Sequence, residues 1–370
     1  MKKDSKWLRP AVFGFYFVVV LEFLFMISPF ALHFYSAYGP TLNILHGSPA
    51  TAWLTGFYLP HFSTTSSAFI NALKPAGFLL AGLGLLVFVI GAIQIYGAKL
   101  LRRGAVTGGL YRLVRHPQYL ALTILGLGVT LIWPRFLVLI SYVAMVFVYH
   151  ALAKWEERQC LERFGESYRE YQRKTGMIFP RLTPRRAKEE PEEPDSWKRQ
   201  VAIGFAAVAL ALVAAFALRA YSLASLSSYF TDDVAMLSPA RLGAEEVEEA
   251  YRVARSDRDV DALLEAEPKL LVYVVPADWF LPDLPLHTEE EIRRVGGGHR
   301  TPDPDSRRYR VLFTRPRLHA SDASGSGLLT RAHGHEPLAI IRVDLDTESV
   351  ISHDEVPDHV IWGDIPTPLF

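Results

Sequence analysis

Residues 108–119, GGLYRLVRHPQY, and residues 154–180, KWEERQCLERFGESYREYQRKTGMIFP, decide how this chain folds. Between them lie two apolar runs, 119–133 and 136–153, that meet around Pro134. Proline has no N–H and a fixed φ, which suits a turn, so the two runs predict a helical hairpin in a membrane. A hairpin returns the chain to the side it left. The arginines and histidine of the first stretch therefore meet the glutamates and tyrosines of the second at one face of the bilayer. The first arm is short, about fifteen residues where a span commonly takes about twenty, so it either crosses tilted or stops below the far surface.

Two more spans precede the hairpin. Residues 11–32 are apolar and aromatic and long enough to cross; no small-residue cleavage site follows, so the run reads as a retained helix rather than a signal peptide. Glu22 near its middle must face protein, since a carboxylate in lipid is costly. It either lines a substrate cavity or fixes helix packing. Residues 34–74, punctuated by Pro40, Pro49 and Pro60 and followed by Pro75, read as an outer-surface segment carrying at most a short interfacial helix. Residues 77–98 form the second span, and Gly77, Ala81, Gly84 and Gly91 allow close helix packing. Lys99, Arg102, Arg103, Arg112 and Arg115 then mark the cytoplasmic face.

Beyond the hairpin, residues 181–200 are a charged, proline-containing linker, and 201–218 are apolar enough for a fifth span within an additional helix placed at 201–221. Five crossings from a cytoplasmic start put residues 222–370 outside. That portion reads as a small soluble α+β domain, with a polar helix over 244–265, a Thr288/Glu291 capping box, and strands over 270–275, 309–314 and 338–345. The tail reads as loop. The expected architecture is thus a multi-pass all-α membrane domain of about five transmembrane helices over 1–180 and 201–221, with that α+β domain appended.

Composition agrees with this division. Of 370 residues half are hydrophobic, while 39 basic and 39 acidic residues cancel, so no global field calls for nucleic acid. A lone Cys160 makes no internal disulfide and no zinc spacing. His333, His335 and Glu336 form an HxHE cluster without an identified third metal ligand, and no metal is expected. The glycines of VGGGHR, 296–298, neither follow a strand nor open a helix, which argues against a phosphate loop.

At the hairpin ends the residue types describe a pocket for a zwitterion. Pro117 suits a first helical turn, leaving free N–H groups with partial positive charge beside Arg115 and His116, where a carboxylate binds. If 155–171 is one helix, Glu157, Leu161, Phe164, Tyr168 and Tyr171 share a face, with Glu156 at its edge. A carboxylate in that stripe needs a cation: Arg112, Arg115 or the amine of a ligand. The plainer alternative is snorkelling arginines and a solvated surface helix.

The two stretches together resemble the C-terminal core of the integral-membrane methyltransferases that include isoprenylcysteine carboxyl methyltransferase and the phospholipid N-methyltransferases. Gly109, Tyr111, Arg112, Arg115, His116, Pro117 and Tyr119 match its first motif. Glu156, Glu157, Phe164, Gly165, Tyr168, Tyr171 and Pro180 match the second. Leu161 is displaced by one position, and Ala121 stands where glycine is common. The resemblance implies S-adenosylmethionine bound from the cytosol and a lipophilic small-molecule or lipid acceptor entering from the bilayer. It implies that Arg115, His116 and Tyr119 hold the donor's carboxylate and adenosyl portion, that Glu156 or Glu157 holds its amino group, and that Tyr168 belongs to the same site. Arg112 would orient an acceptor carboxylate, or Glu157 would take the proton of an acceptor amine. The competing reading is an inactive membrane anchor or sensor whose C-terminal domain binds a partner.

Overall fold

The computed structural model describes residues 5–38, 40–61, 63–101, 106–181, 197–281, 284–295, 306–318 and 322–357. Most of the linker, the glycines at 296–298 and the His333 side chain lie outside the described residues. The chain divides into two compact units, residues 1–37, 74–132 and 138–212 in one and 38–73, 133–137 and 213–370 in the other.

The first unit is helical. Helix α1 spans Ser5–Tyr35, and after a short α2 (Pro40–His46) in the other unit the chain enters α3 (Ala68–Leu100). Helix α3 starts earlier than the sequence indicates: Pro75 lies inside it. Only about two turns precede that proline, so it costs little of the backbone ladder. Helices α4 (Pro117–Ile132) and α5 (Phe136–Phe164) form the hairpin, and α6 (Glu166–Lys174) follows. Helix α7 spans Trp197–Ala224. Among the described residues four helices are long and apolar enough to cross a membrane, namely those containing 17–35, 68–100, 136–164 and 198–224, while α4 is shorter.

The small residues of α3 seat it on α4. A Cβ built on Gly84 would lie 2.5 Å from the Leu125 backbone N, and one on Gly128 would lie 2.5 Å from that of Ala81. Backbones this close leave room only for hydrogen, the geometry expected of small-residue packing in lipid. On the opposite side of α3, Phe78, Leu79 and Ile93 are exposed as a lipid-facing surface requires.

One helix over 155–171 does not form. Helix α5 stops at Phe164, and Gly165, at φ +57°, turns the chain into α6. That left-handed conformation suits glycine and ends the shared face predicted for Glu157 through Tyr171.

In the second unit, residues 227–354 build a six-stranded sheet in chain order: β1 (Ser227–Phe230), β2 (Val234–Ser238), β3 (Leu270–Pro276), β4 (Arg308–Leu318), β5 (Ala332–Asp344) and β6 (Ser349–Asp354). Only β2 and β3 run parallel, joined across α8 (Ala244–Ala254) and α9 (Arg258–Glu265). Where one polar helix was expected there are two, because the Asp257 side chain accepts from the N–H groups of Asp259 and Val260 and caps a new start. Helices α8 and α9 cover one sheet face through Val247, Ala250, Val260 and Leu264; the other face is covered by Leu281, Leu284 and Leu328. Every residue of β3 is buried, which explains its unbroken apolar run. Strand β6, unlike the expected loop, is an edge strand with alternating exposure. The capping box is present, with Thr288 Oγ1 accepting from Glu291 N–H at 3.3 Å and Glu291 Oε2 from Thr288 N–H at 3.1 Å, at the start of α10 (Glu289–Val295).

Candidate active site

The two decisive stretches meet through their backbones. Arg115 N–H donates to Gly176 O at 2.9 Å and His116 N–H to Met177 O at 3.0 Å, so residues 114–116 lie against 176–177 as a two-stranded clip. Gly176 is required there, since a Cβ would fall 1.8 Å from Phe179 O. Across the clip, Tyr171 Oη donates to Tyr111 O at 2.5 Å. These bonds fix α6 over the entrance to α4.

Arg115 and Glu157 form a buried pair. Arg115 Nε donates to Glu157 Oε1 at 2.6 Å, and its Nη1 donates to the carbonyls of Gln172, at 3.1 Å, and Thr175. Gln172 Nε2 donates to the other Glu157 oxygen at 2.9 Å. Glu157 is therefore a tie between α5, α6 and the clip, with a side chain 12% exposed. Its neighbour is placed differently: the Glu156 side chain is 41% exposed and faces open space.

His116 stands between the two carboxylates. Its Nδ1 lies 3.2 Å from Glu156 Oε2, and its Nε2 lies 3.4 Å from Glu157 Oε1, though buried Nε2 makes no hydrogen bond. Burial opposes the imidazolium, but the two carboxylates beside it, Glu156 and Glu157, outweigh that and raise the His116 pKa above its ordinary value. Tyr119 stacks on His116, with ring centroids 5.6 Å apart, and on Tyr149 at 5.0 Å, and its hydroxyl donates to Glu156.

A cavity of about 580 Å³ opens here, within the range that holds a drug-sized molecule. Arg115, His116, Glu156 and Tyr168 line it, as do Tyr111 and Tyr171. Three expected residues sit elsewhere. Tyr119 and Glu157 stand behind the lining, and Arg112 is exposed at the end of a 3-10 turn, outside it. His150 does not line the cavity either.

Other lining residues escape a motif reading. Glu22 of α1 and Lys99 of α3 form an ion pair in the wall, and Arg163 and Gln118 also line it. Lys99 reads in the sequence only as a topology marker; the signal for its partner is the solitary Glu22 in an apolar run, which needs a cation. The remaining wall is apolar, from Val18 and Val19 of α1 and Ile95 and Ala98 of α3. Val18 is 51% exposed, so this wall is continuous with the lipid-facing side of α1.

The arrangement fits a zwitterion with an aromatic appendage. Glu156 offers an accessible anion. His116 Nε2, 3.4 Å from Glu157 Oε1, makes no hydrogen bond, and Arg115 Nη2 makes none among the described residues. Tyr111, Tyr168, Tyr171 and Phe164 supply aromatic walls.

The family model for phospholipid methyltransferase matches residues 77–167, from the first glycine of the α3–α4 contact into α6. No curated protein and no solved structure matches the chain. Residues 77–167 are thus similar to the phospholipid methyltransferases, a match that supports a membrane methyltransferase of the type the two motifs resemble.

Proposed function

We propose that the protein is an S-adenosylmethionine-dependent methyltransferase acting on a lipophilic acceptor. The supporting observation is that a single cavity joins the charged cluster of Arg115, His116 and Glu156 to the apolar wall of α1 and α3. The donor, when bound, supplies a methyl group activated on a sulfonium. Glu156 receives its ammonium, while His116 Nε2 and the remaining amino group of Arg115 receive its carboxylate. Tyr111, Tyr168 and Tyr171 flank the adenosyl portion. Glu157 and Tyr119 are positioning residues: one holds Arg115, the other orients Glu156.

Methyl transfer needs alignment and a dry cavity more than it needs a catalytic group. The acceptor enters between α1 and α3. There the Glu22–Lys99 pair provides what Arg112 and Glu157 were expected to provide. Lys99 meets an anionic acceptor, whose oxygen attacks without a base; Glu22 takes the proton of an amine acceptor.

The topology belongs to the same reading. The hairpin tip bonds to the segment joining α1 to α3: Tyr58 N–H donates to Pro134 O at 2.9 Å, and Phe136 N–H donates to Gly56 O at 3.1 Å. This supports α4 as a full crossing, hence five in all. With the basic residues around Lys99 and Arg115 in the cytoplasm, the site faces the cytoplasm and the sheet domain lies outside.

The test is incubation of the detergent-solubilised protein with methyl-labelled donor and a membrane lipid extract. A labelled lipid that depends on Lys99 or Glu22 is expected. Donor binding without any labelled lipid refutes the acceptor assignment, and absence of donor binding refutes the whole reading.

A further inference from the structure

The sheet domain holds a second cavity, of about 250 Å³, that the methyltransferase reading leaves without a role. It lies over β4 and β5, where Arg310 and Arg342 stand directly opposite each other in the antiparallel register. Like charges at such a position repel, and Arg310 is only 3% exposed. No carboxylate bonds to Arg310 among the described residues. Its terminal amino groups donate to the carbonyls of Leu286, at 3.0 Å, and Trp279, at 2.6 Å, and lie 3.4 and 3.3 Å from the His287 ring nitrogens, while its buried Nε has no partner. Burial first, and the Arg342 charge second, push its pKa down to about 10, a sign of an undercompensated cation.

Arg342 is held from one side only. Its Nε donates to both oxygens of Asp354, at 2.9 and 2.7 Å, and its two terminal amino groups make no hydrogen bond among the described residues. His287 adds no charge: burial, then Arg310, lowers its pKa to about 4, and its Nε2 accepts from Leu281 N–H at 3.2 Å. Asp278, Glu291 and Arg294 also line the cavity; Arg294 is paired with Glu290 at 3.2 Å, and Glu291 is engaged by the capping box.

We infer that this cavity binds a small oxyanion, a phosphate or carboxylate group, on the guanidinium groups of Arg310 and Arg342. Guanidinium recognises planar or tetrahedral oxyanions through paired N–H donors, and the terminal amino groups of Arg342 present such a pair. An anion there relieves the opposition of the two arginines. Trp279 and Phe280 beside it offer an apolar contact to whatever bears the anion.

Isothermal titration of the detergent-solubilised full chain with inorganic phosphate, and separately with acetate, at constant ionic strength is the test. Saturable binding of either anion is expected, and the stronger of the two identifies the class. R342Q should raise its Kd about tenfold or more, since the amide loses the charge-assisted pair. R342K should bind with intermediate affinity, because a point charge replaces the fork. The Arg342 side chain is 41% exposed, so both variants should fold, with retained strand circular dichroism as the check. Failure of the wild type to bind either anion, or unchanged affinity in R342Q, overturns the inference. Because Arg342 lies outside the methyl-donor cavity, neither result bears on the methyltransferase reading.

Discussion

Adjacent glutamates at the hairpin exit should fail in opposite ways. Glu157 is the buried counter-ion of Arg115, with side chains 12% and 6% exposed. E157Q leaves a buried guanidinium facing amide and carbonyl oxygens alone. Breaking a buried pair costs about 3–5 kcal/mol, and the lower end applies here because glutamine still accepts from Nε. For a domain of about 150–250 residues each kcal/mol moves Tm by roughly 2–4 °C, so a fall of about 6–12 °C in the unfolding of the helical unit is expected. Glu156 ties no helices together by an arginine pair and is 41% exposed. E156Q still accepts from Tyr119 and should lower Tm by less than E157Q does, yet weaken donor binding about ten- to a hundredfold, the scale of one hydrogen bond to a charged group. Thermal unfolding and radiolabelled-donor binding on the two solubilised variants separate these effects. An E157Q protein as stable as wild type, or an E156Q protein with undiminished affinity, would refute the reasoning.

Other consequences are as specific. G84A should lower Tm by pressing a Cβ against the Leu125 backbone, at a cost of about 1–3 kcal/mol, while G82A, with nothing within 4 Å, should not; thermal scans in detergent compare them. G165A forces a left-handed residue at φ +57° and should cost about 1–2 kcal/mol, read as a Tm decrease. His116 has a folded-state pKa raised above 6.5, so its stabilisation is complete below about pH 6.5 and is lost as pH rises through the folded value. Tm should therefore fall across that interval, and H116Q should flatten the profile; an identical profile in the variant contradicts the assignment.

Much of the membrane domain was legible because apolar runs and small-residue spacing act locally. Gly77, Ala81 and Gly84 announce a close helix contact, though not that its partner is α4, and Pro134 announces the turn. Less legible were features set by one residue's conformation or by distant pairing. Gly165 ends α5 through a positive φ, which a hydrophobic period cannot show. Asp257 divides a polar helix that has no apolar interruption. Strand β6 escaped because an edge strand with alternate residues exposed carries no apolar run. At the site, the meeting of basic and acidic ends follows from the hairpin, but the division of labour between Glu156 and Glu157 does not. One residue apart on a helix, they point about 100° away from each other, and only the position of Arg115 decides which is committed. Arg112 and Lys99 show the converse, since a cation in a motif lies outside the cavity and a cation read as a topology marker lines it.

The chain's one cysteine offers the most direct test of the central claim that a donor occupies this cavity. Cys160 lines it beside Glu156 and Tyr168. The rate at which a maleimide modifies Cys160 should fall, saturably, as S-adenosylmethionine or its demethylated product is added, and E156Q should shift that protection to higher concentration. A modification rate that stays constant up to millimolar donor would contradict the account.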